Sequence, residues 1–432
     1  MFPPCRAFHF MGLSANSSST CSLVLASTFY TPALERPFSE ALGRALEAYS
    51  VRCVPYNQLH TFLLDPRSVI PEGTPAAIVL LLRVEDLVRL ELVALGHITT
   101  GAADRCIRAF RERTEEFLDV LRRMSRVSLT TMICPSGRGA YDLKFLGNAV
   151  RVSEHKIAAE LRRQQRNLVI SWSEFERAAK PENCLNSAGD RLGHVPFSPE
   201  GLEALARFCV GQLDRMPTTI LSPQADGHGT ADLERFLSSL ELEMKVTPLI
   251  EEDEQQAINL VRHTTHFINV LDHKWELGGI RALAASAPRG EAWTVSVRDR
   301  FGDYGVSGAL TIGIENCLVR VGLLFLTCPV LGRQVEYAFL GWMAKLAEQR
   351  GADYIEVPFT AGRDNQALQS LLAILAGERS GSNTASVSSG GARSFRLRVE
   401  GLADQVVREA PNSASVKAIL SKLQVEQVHF LA

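Results

Sequence analysis

The residues best suited to chemistry on a phosphate-bearing ligand lie in Cys328–Glu336 (CPVLGRQVE), which follows an apolar run and opens a stretch of helical period. Pro329 and Gly332 turn the chain from strand into helix there. Backbone N–H groups at a helix start have no intrahelical partner and can hold a phosphate or pyrophosphate, and Arg333 adds a cation at the same point. A plainly capped helix would carry the same Gly-Arg pair. Upstream, Val297–Gly308 (VRDRFGDYGVSG) sets Asp299, Arg300 and Asp303 among glycines between two strand-like runs. It reads as a polar hairpin tip, either forming a ligand mouth or polar because it is exposed.

These residues need a scaffold, and hydrophobic periodicity supplies one. SLVLAS (Ser22–Ser27), RCVPY (Arg52–Tyr56), AAIVLLL (Ala76–Leu82), SLTTMIC (Ser128–Cys134) and NLVISW (Asn167–Trp172) read as strands. Between them, FSEALGRALEAY and CIRAFRERTEEFLDVLRRM place apolar residues three and four apart. Strands alternating with helices predict an α/β unit over 21–217, a mostly parallel sheet in three layers with its ligand site at the strand carboxyl ends. The stretch 218–232, rich in Pro, Gly and Asp, reads as a linker.

A second α/β unit is expected over 233–377: a helix, a helical EEDEQQAINLVRHTTHFI, adjacent strands WTVSVRD and GVSGALTIGI, a third strand CLVRVGLLFLTC, and a helix over 332–350. Val335, Phe339, Trp342 and Leu346 form one apolar stripe on that helix, and Gly351 is placed to end it. Residues 1–20 read as a disordered arm and 378–394 as a flexible Ser/Gly linker. Residues 395–432 carry enough apolar side chains to pack back on the second unit.

Composition narrows the function classes. With 46% hydrophobic and 22% charged residues among 432, the chain is that of an ordinary globular protein of more than one domain. A net charge of −2 argues against a nucleic-acid partner. Nine cysteines without CxxC or CxxH spacing indicate neither a metal site nor a disulfide framework and suit a reducing cytoplasm. No apolar run approaches the ~18 residues of a membrane helix, so no membrane partner is expected.

VSVRDRFGDYGVSG followed by LTCPVLGRQVEYAFL resembles the C-terminal region of FkbH-like proteins of polyketide biosynthesis, with a pattern near RDRFGDxG then LSCRVLGRGVExAxL. RHTTHFIN (Arg262–Asn269) is similar to their NKTNQFN segment. The resemblance implies a GNAT-like acyltransferase domain whose strand-to-helix turn grips the diphosphate of coenzyme A or the phosphopantetheine of an acyl carrier protein. On that basis Gly332 and Arg333 would position the phosphate. Asp299, Arg300, Asp303 and Asn365 would bind substrate. Cys328 would carry the acyl thioester, at a strand end where a helix N-terminus favours thiolate, with His266 or His263 as its base. Cys328 also suits a buried structural role. Gln334 stands where the pattern has its second glycine. The family's phosphatase domain, with its DLDNTLWGG-like motif, has no counterpart between the two units, so loading from a phosphorylated precursor is not expected.

The N-terminal region of the family resembles SGNH hydrolases, and against that pattern Ser27 stands at the nucleophile position, preceded by Leu-Ala rather than Gly-Asp. GDRLGH places Asp190 and His194 as acid and base, one residue further apart than DxxH. Glu85-Asp86 occupies the block whose Asn normally donates to an oxyanion, a role an ionised carboxylate cannot fill. The expected fold is thus an SGNH/flavodoxin-like unit followed by a GNAT-like unit. The expected function is carrier-protein-dependent acyl transfer, with an esterase using Ser27 and His194, or a non-catalytic dock for carrier protein, as alternatives.

Overall fold

A computed structural model of the chain describes residues 21–43, 48–89, 100–124, 127–135, 144–146, 148–179, 184–221, 228–262, 264, 267–269, 276, 278–300, 302–360, 365–377, 386–387 and 393–423. The arm over 1–20 and most of the expected linker over 378–394 lie outside these residues.

The first sheet has parallel strands in the order β2 (Tyr49–Cys53), β1 (Cys21–Ser27), β3 (Pro75–Leu82), β4 (Thr130–Ile133) and β5 (Leu168–Ile170). β3 shows why the apolar run becomes a central strand. Ala76, Ile78, Leu80 and Leu82 face one core, while Ala77, Val79 and Leu81 face the other. A side-chain period of two applied to an unbroken apolar run leaves both faces needing cover. One face is covered by α2 (Leu59–Leu64), α3 (Thr100–Arg123) and α4 (Ala149–Arg163), the other by α1 (Glu35–Leu42), α5 (Trp172–Ala179) and α7 (Pro199–Val210). A short α6 (Ser187–Gly193) precedes α7.

Several boundaries differ from the sequence reading. Thr218–Ile220, expected in a linker, is β6 and pairs antiparallel with the start of β3. The helix after it, α8 (His228–Ser239), buries Leu233 and Leu237 in the first unit's core and so belongs there. β2 also sits earlier than Arg52–Tyr56. Its ladder with β1 ends at Cys53, and Pro55, lacking an N–H, cannot extend it, so Tyr56 falls in the loop beyond.

The second sheet runs β13 (Ser386–Val387), β14 (Arg393–Arg398), β12 (Tyr354–Phe359), β11 (Leu318–Leu326), β10 (Gly302–Glu315), β9 (Glu291–Asp299) and β7 (Glu243–Pro248). Among its described strands only β11 and β12 are parallel, joined by α11 (Val335–Gln349), and they pair over three residues, Leu318 to Arg320. Val335, Phe339, Trp342 and Leu346 are fully buried as their stripe predicts, each worth about 1.5–3 kcal/mol of burial. Gly351 ends this helix region at φ +71, where its missing Cβ removes the left-handed penalty. α12 (Gln366–Leu375), α13 (Leu402–Glu409) and α14 (Ser413–Lys422) lie on the α11 side, while α9 (Glu251–Val261) and α10 (Gly279–Ala285) cover the opposite face. The helical reading of 251–268 holds only to Val261. Phe267–Ile268 is β8, an insert paired antiparallel with the end of β11. Both units are α/β, the second with a mixed sheet.

Candidate functional site

β1 and β3 are neighbours, and their ends lie side by side, with Ser27 opposite Leu81. Strand order 2-1-3-4-5 reverses direction between them, so a crevice is expected at this carboxyl edge. Three chain segments converge there. After β2 the chain leaves the sheet at Pro55, with Val54 N–H donating to Leu25 O at 2.8 Å, and the Tyr56 ring comes within 6.1 Å of the Tyr30 ring, centroid to centroid. After β3, Arg83 to Asp86 turn in a short 3₁₀ helix, Val84–Val88. The third segment is α6, whose N-terminus is capped by Asn186 accepting from Gly189 N–H and whose end is His194.

His194 is held in the left-handed conformation, φ +53 and ψ +38, uncommon for a residue with a Cβ and often found where surrounding structure enforces a functional geometry. Its N–H donates to Asp190 O at 3.1 Å and its carbonyl accepts from Tyr30 N–H at 2.9 Å. The ring lies edge-on to Tyr56, and the phenol oxygen is 2.6 Å from Nδ1. On the other side Nε2 is 3.0 Å from Asp86 Oδ1, close but out of line for a straight hydrogen bond.

Asp86 is fixed by two further groups. Arg83 Nη2 donates to its Oδ1 at 2.6 Å and Thr28 Oγ1 donates to its Oδ2 at 3.0 Å. The same guanidinium forms a two-pronged pair with Asp190, at 2.8 and 2.7 Å, and Arg89 donates to the Asp190 carbonyl at 2.7 Å. Paired, hydrogen-bonded charges of this kind tolerate burial that isolated ones do not. Burial alone would push the Asp86 carboxyl up, but His194 and Arg83 outweigh it and hold it below the usual carboxylate range. For His194 burial wins over the attraction of Asp86, so the imidazole titrates below its ordinary value. In the tautomer that carries its proton on Nε2, Nδ1 offers a lone pair to the Tyr56 hydroxyl. A hydroxyl in hydrogen-bond contact with an imidazole, and a carboxylate 3.0 Å from the far side of the ring, supply the three groups that base-assisted nucleophilic catalysis needs.

Of the first unit's anticipated residues, His194 is in this centre and the others are placed differently. Asp190 is not the acid partner of the ring. The extra residue in GDRLGH is taken up by a helical turn, so backbone rather than side chains connects Asp190 to His194, and the Asp190 carboxylate faces Arg83. Ser27, 5% exposed, donates to Phe29 O at 2.7 Å and lies 2.8 Å from Thr31 Oγ1. Asp86 and Tyr56 were missed as partners. The acidic pair after β3 was the available signal for Asp86. Its carboxylate supports the base rather than lining an oxyanion site.

The anticipated phosphate loop of the second unit is filled by its own chain. Gly332 N–H donates to Glu336 Oε1 at 3.0 Å, and its missing Cβ would meet the Gln58 side chain of the first unit at 2.5 Å. Arg333 is ion-paired with Asp299 and lies over the Tyr304 ring at 5.2 Å. Gln334, 2% exposed and at φ +73, donates to Asn412 O at 2.8 Å and accepts from Asn412 N–H at 2.7 Å. The Gly332 amide and the Arg333 guanidinium, the groups expected to hold a phosphate, are thus both engaged within the chain. Burial pushes the Glu336 carboxyl up to about 7 despite its bond from Gly332.

The remaining anticipated residues are engaged structurally. Arg300 donates to Glu116 of the first unit at 2.8 Å, and Asp303 accepts from Gly305 N–H at 2.8 Å within its own turn. Asn365, fully buried, donates to Ile268 O and Thr360 O and so clamps β8. Beside it Asn269 bridges the gap between β11 and β12, donating to Gly322 O and Pro358 O. His266 and His263 lie outside the described residues, as does the Cys328 side chain. Among the described residues no cluster of His, Cys, Asp and Glu is disposed to hold a metal ion, and no helix is long and apolar enough to cross a membrane.

Fold and site together define a two-unit α/β protein with an imidazole–carboxylate centre at the switch point of its first sheet. No protein-family model and no curated protein sequence matches the chain. Solved structures do match in part. The N-terminal part of BF1531 from Bacteroides fragilis, containing a phosphatase domain complexed with Mg, is 11% identical over 45% of this chain and 52% of its own, with a TM-score of 0.32. PaiA N-acetyltransferase from Thermoplasma acidophilum in complex with coenzyme A is 13% identical over 36% of this chain and 99% of its own, TM-score 0.26. A GNAT-family acetyltransferase from Staphylococcus aureus Mu50 is 8% identical over the same shares, TM-score 0.26. Similarity at this level says nothing of activity.

Proposed function

We propose that the protein is an acyl-transfer enzyme acting on an ester or thioester, with its reacting centre at His194 and Asp86 rather than at Cys328. One observation carries this reading: a buried imidazole set between a phenol hydroxyl at 2.6 Å and a carboxylate at 3.0 Å, at the carboxyl edge where α/β sheets bind ligands. His194 would accept the proton of the attacking hydroxyl, and Asp86 would stabilise the imidazolium that forms. Arg83 would keep Asp86 ionised and aimed. The family resemblance favours a donor on an acyl carrier protein, within a polyketide or related pathway. Such a donor would reach the switch-point site by a route other than the Gly332 loop.

The test is turnover of the acetyl thioester of N-acetylcysteamine. Replacing His194 by Asn, which tolerates the left-handed backbone, should lower kcat/KM by about 10²- to 10⁴-fold, while Cys328→Ala should leave it unchanged. Loss of turnover in Cys328→Ala with His194→Asn fully active would return the chemistry to the second unit.

A second reading, a non-catalytic dock for carrier protein, is favoured by the way Gln58, Glu336 and Asn412 occupy the second unit's loop. Binding of acylated carrier protein without turnover by the wild-type chain would select it.

A further inference from the structure

Hydroxyl side chains gather at the switch point, and the hydrogen bonds of Ser27, Thr28 and Tyr56 differ in kind. Ser27 is tied to Phe29 O and Thr31. Thr28 donates to Asp86 and accepts from Arg83 N–H at 2.9 Å, so it holds the acid of the site in place. Tyr56 is half-buried, its hydroxyl against the base and part of its surface open to solvent. A nucleophile must lie within about 2.6–3.2 Å of its base, and the base must be oriented by a third group.

From this geometry we propose that Tyr56 is the nucleophile and carries the acyl group as an aryl ester. The inference rests on the acyl-transfer reading above and adds to it the residue and the class of intermediate. In the first step the Tyr56 oxygen attacks the carbonyl carbon of R–CO–SR′ and its proton passes to His194 Nδ1. The C–S bond then breaks, and the departing thiolate takes that proton from His194. The products are R–CO–O–Tyr56 and R′SH, with no change in oxidation state. A phenol, of pKa about 10, is nearly as good a leaving group as a thiol of about 8.5. An aryl ester therefore keeps most of the transfer potential of the thioester. That chemistry suits passing the acyl group to an alcohol or amine acceptor, with water as the competing acceptor.

The experiment uses the full chain with two probes, an aryl sulfonyl fluoride and the acetyl thioester of N-acetylcysteamine, and maps adducts by peptide mass. The sulfonyl fluoride tests the hydroxyl without needing any acyl specificity: the phenol oxygen displaces fluoride and its proton goes to His194. Tyr56 should be labelled at least ~10²-fold faster than Tyr354, which is 37% exposed on the second sheet, and His194→Asn should remove that advantage. Thioester turnover should fall by a similar factor in Tyr56→Phe, which keeps the ring and loses only the hydroxyl. Labelling of Tyr56 no faster than Tyr354, or undiminished turnover in Tyr56→Phe with the acetyl group found on Ser27, overturns the assignment and leaves the switch-point site standing. Rapid, His194-dependent labelling without thioester turnover supports the nucleophile and overturns the acyl-transfer reading instead.

Discussion

Tyr56 and His194, 138 residues apart in the chain, meet at 2.6 Å because Pro55 ends β2 one residue before the first and a left-handed turn ends α6 at the second. Neither residue is placed by its own element. Each is placed by where an element stops. The site is thus a product of two terminations on one sheet edge, and its electrostatics follow from the guanidinium beneath.

Arg83 pairs with both Asp86 and Asp190, which makes it the residue whose loss the fold should tolerate least. Arg83→Met would leave two buried carboxylates without this partner, a change that costs about 3–5 kcal/mol. The pH dependence has a definite sign. Asp86 is held below its unfolded value, so its share of stability is present above pH ~4 and is lost as pH falls toward the depressed value. Urea unfolding should show a large loss of stability for Arg83→Met at pH 7 and a smaller gap at pH 3. A variant as stable as the wild type at pH 7 would show that the network does not support the fold.

Glu336 gives the opposite sign. Its carboxyl is raised to about 7 in the folded chain, against an unfolded value near 4.5. Stability is therefore fully present below pH ~4.5 and declines as pH rises through about 7, by about 3 kcal/mol in all. Glu336→Gln keeps an acceptor for Gly332 N–H and removes the titration. Its urea midpoint should exceed that of the wild type at pH 8 and approach it at pH 4.5. Equal midpoints at both pH values would show that the Glu336 carboxyl is solvated.

Local pattern made much of the scaffold legible. PAAIVLLL announces a strand buried on both faces, and the Val335, Phe339, Trp342, Leu346 stripe announces the helix it forms. Boundaries set by pairing partners were less visible. Thr218–Ile220 looks like linker until β3 is there to pair with it, and the apolar Phe267-Ile268 continues a helical pattern until β11 captures it. His194 was readable as a base from its resemblance to a hydrolase block. Its partners were not, because Asp86 and Tyr56 reach it through strand order and loop exit, which no window of sequence encodes. Gln334 signalled that the second unit's loop departs from its pattern. That Gln58 of the other unit would fill the space at Gly332 was invisible for the same reason.

The protonation state of the His194 ring tests the centre most directly, and nitrogen NMR of the ring, followed against pH in the wild type and Tyr56→Phe, reports it. At pH 7 the ring should be neutral with its proton on Nε2, should titrate with a midpoint below 6.5, and should shift at Nδ1 when the phenol hydroxyl is removed. A proton on Nδ1, or an imidazolium persisting at pH 7, would mean that no lone pair faces Tyr56 and would contradict the site as described.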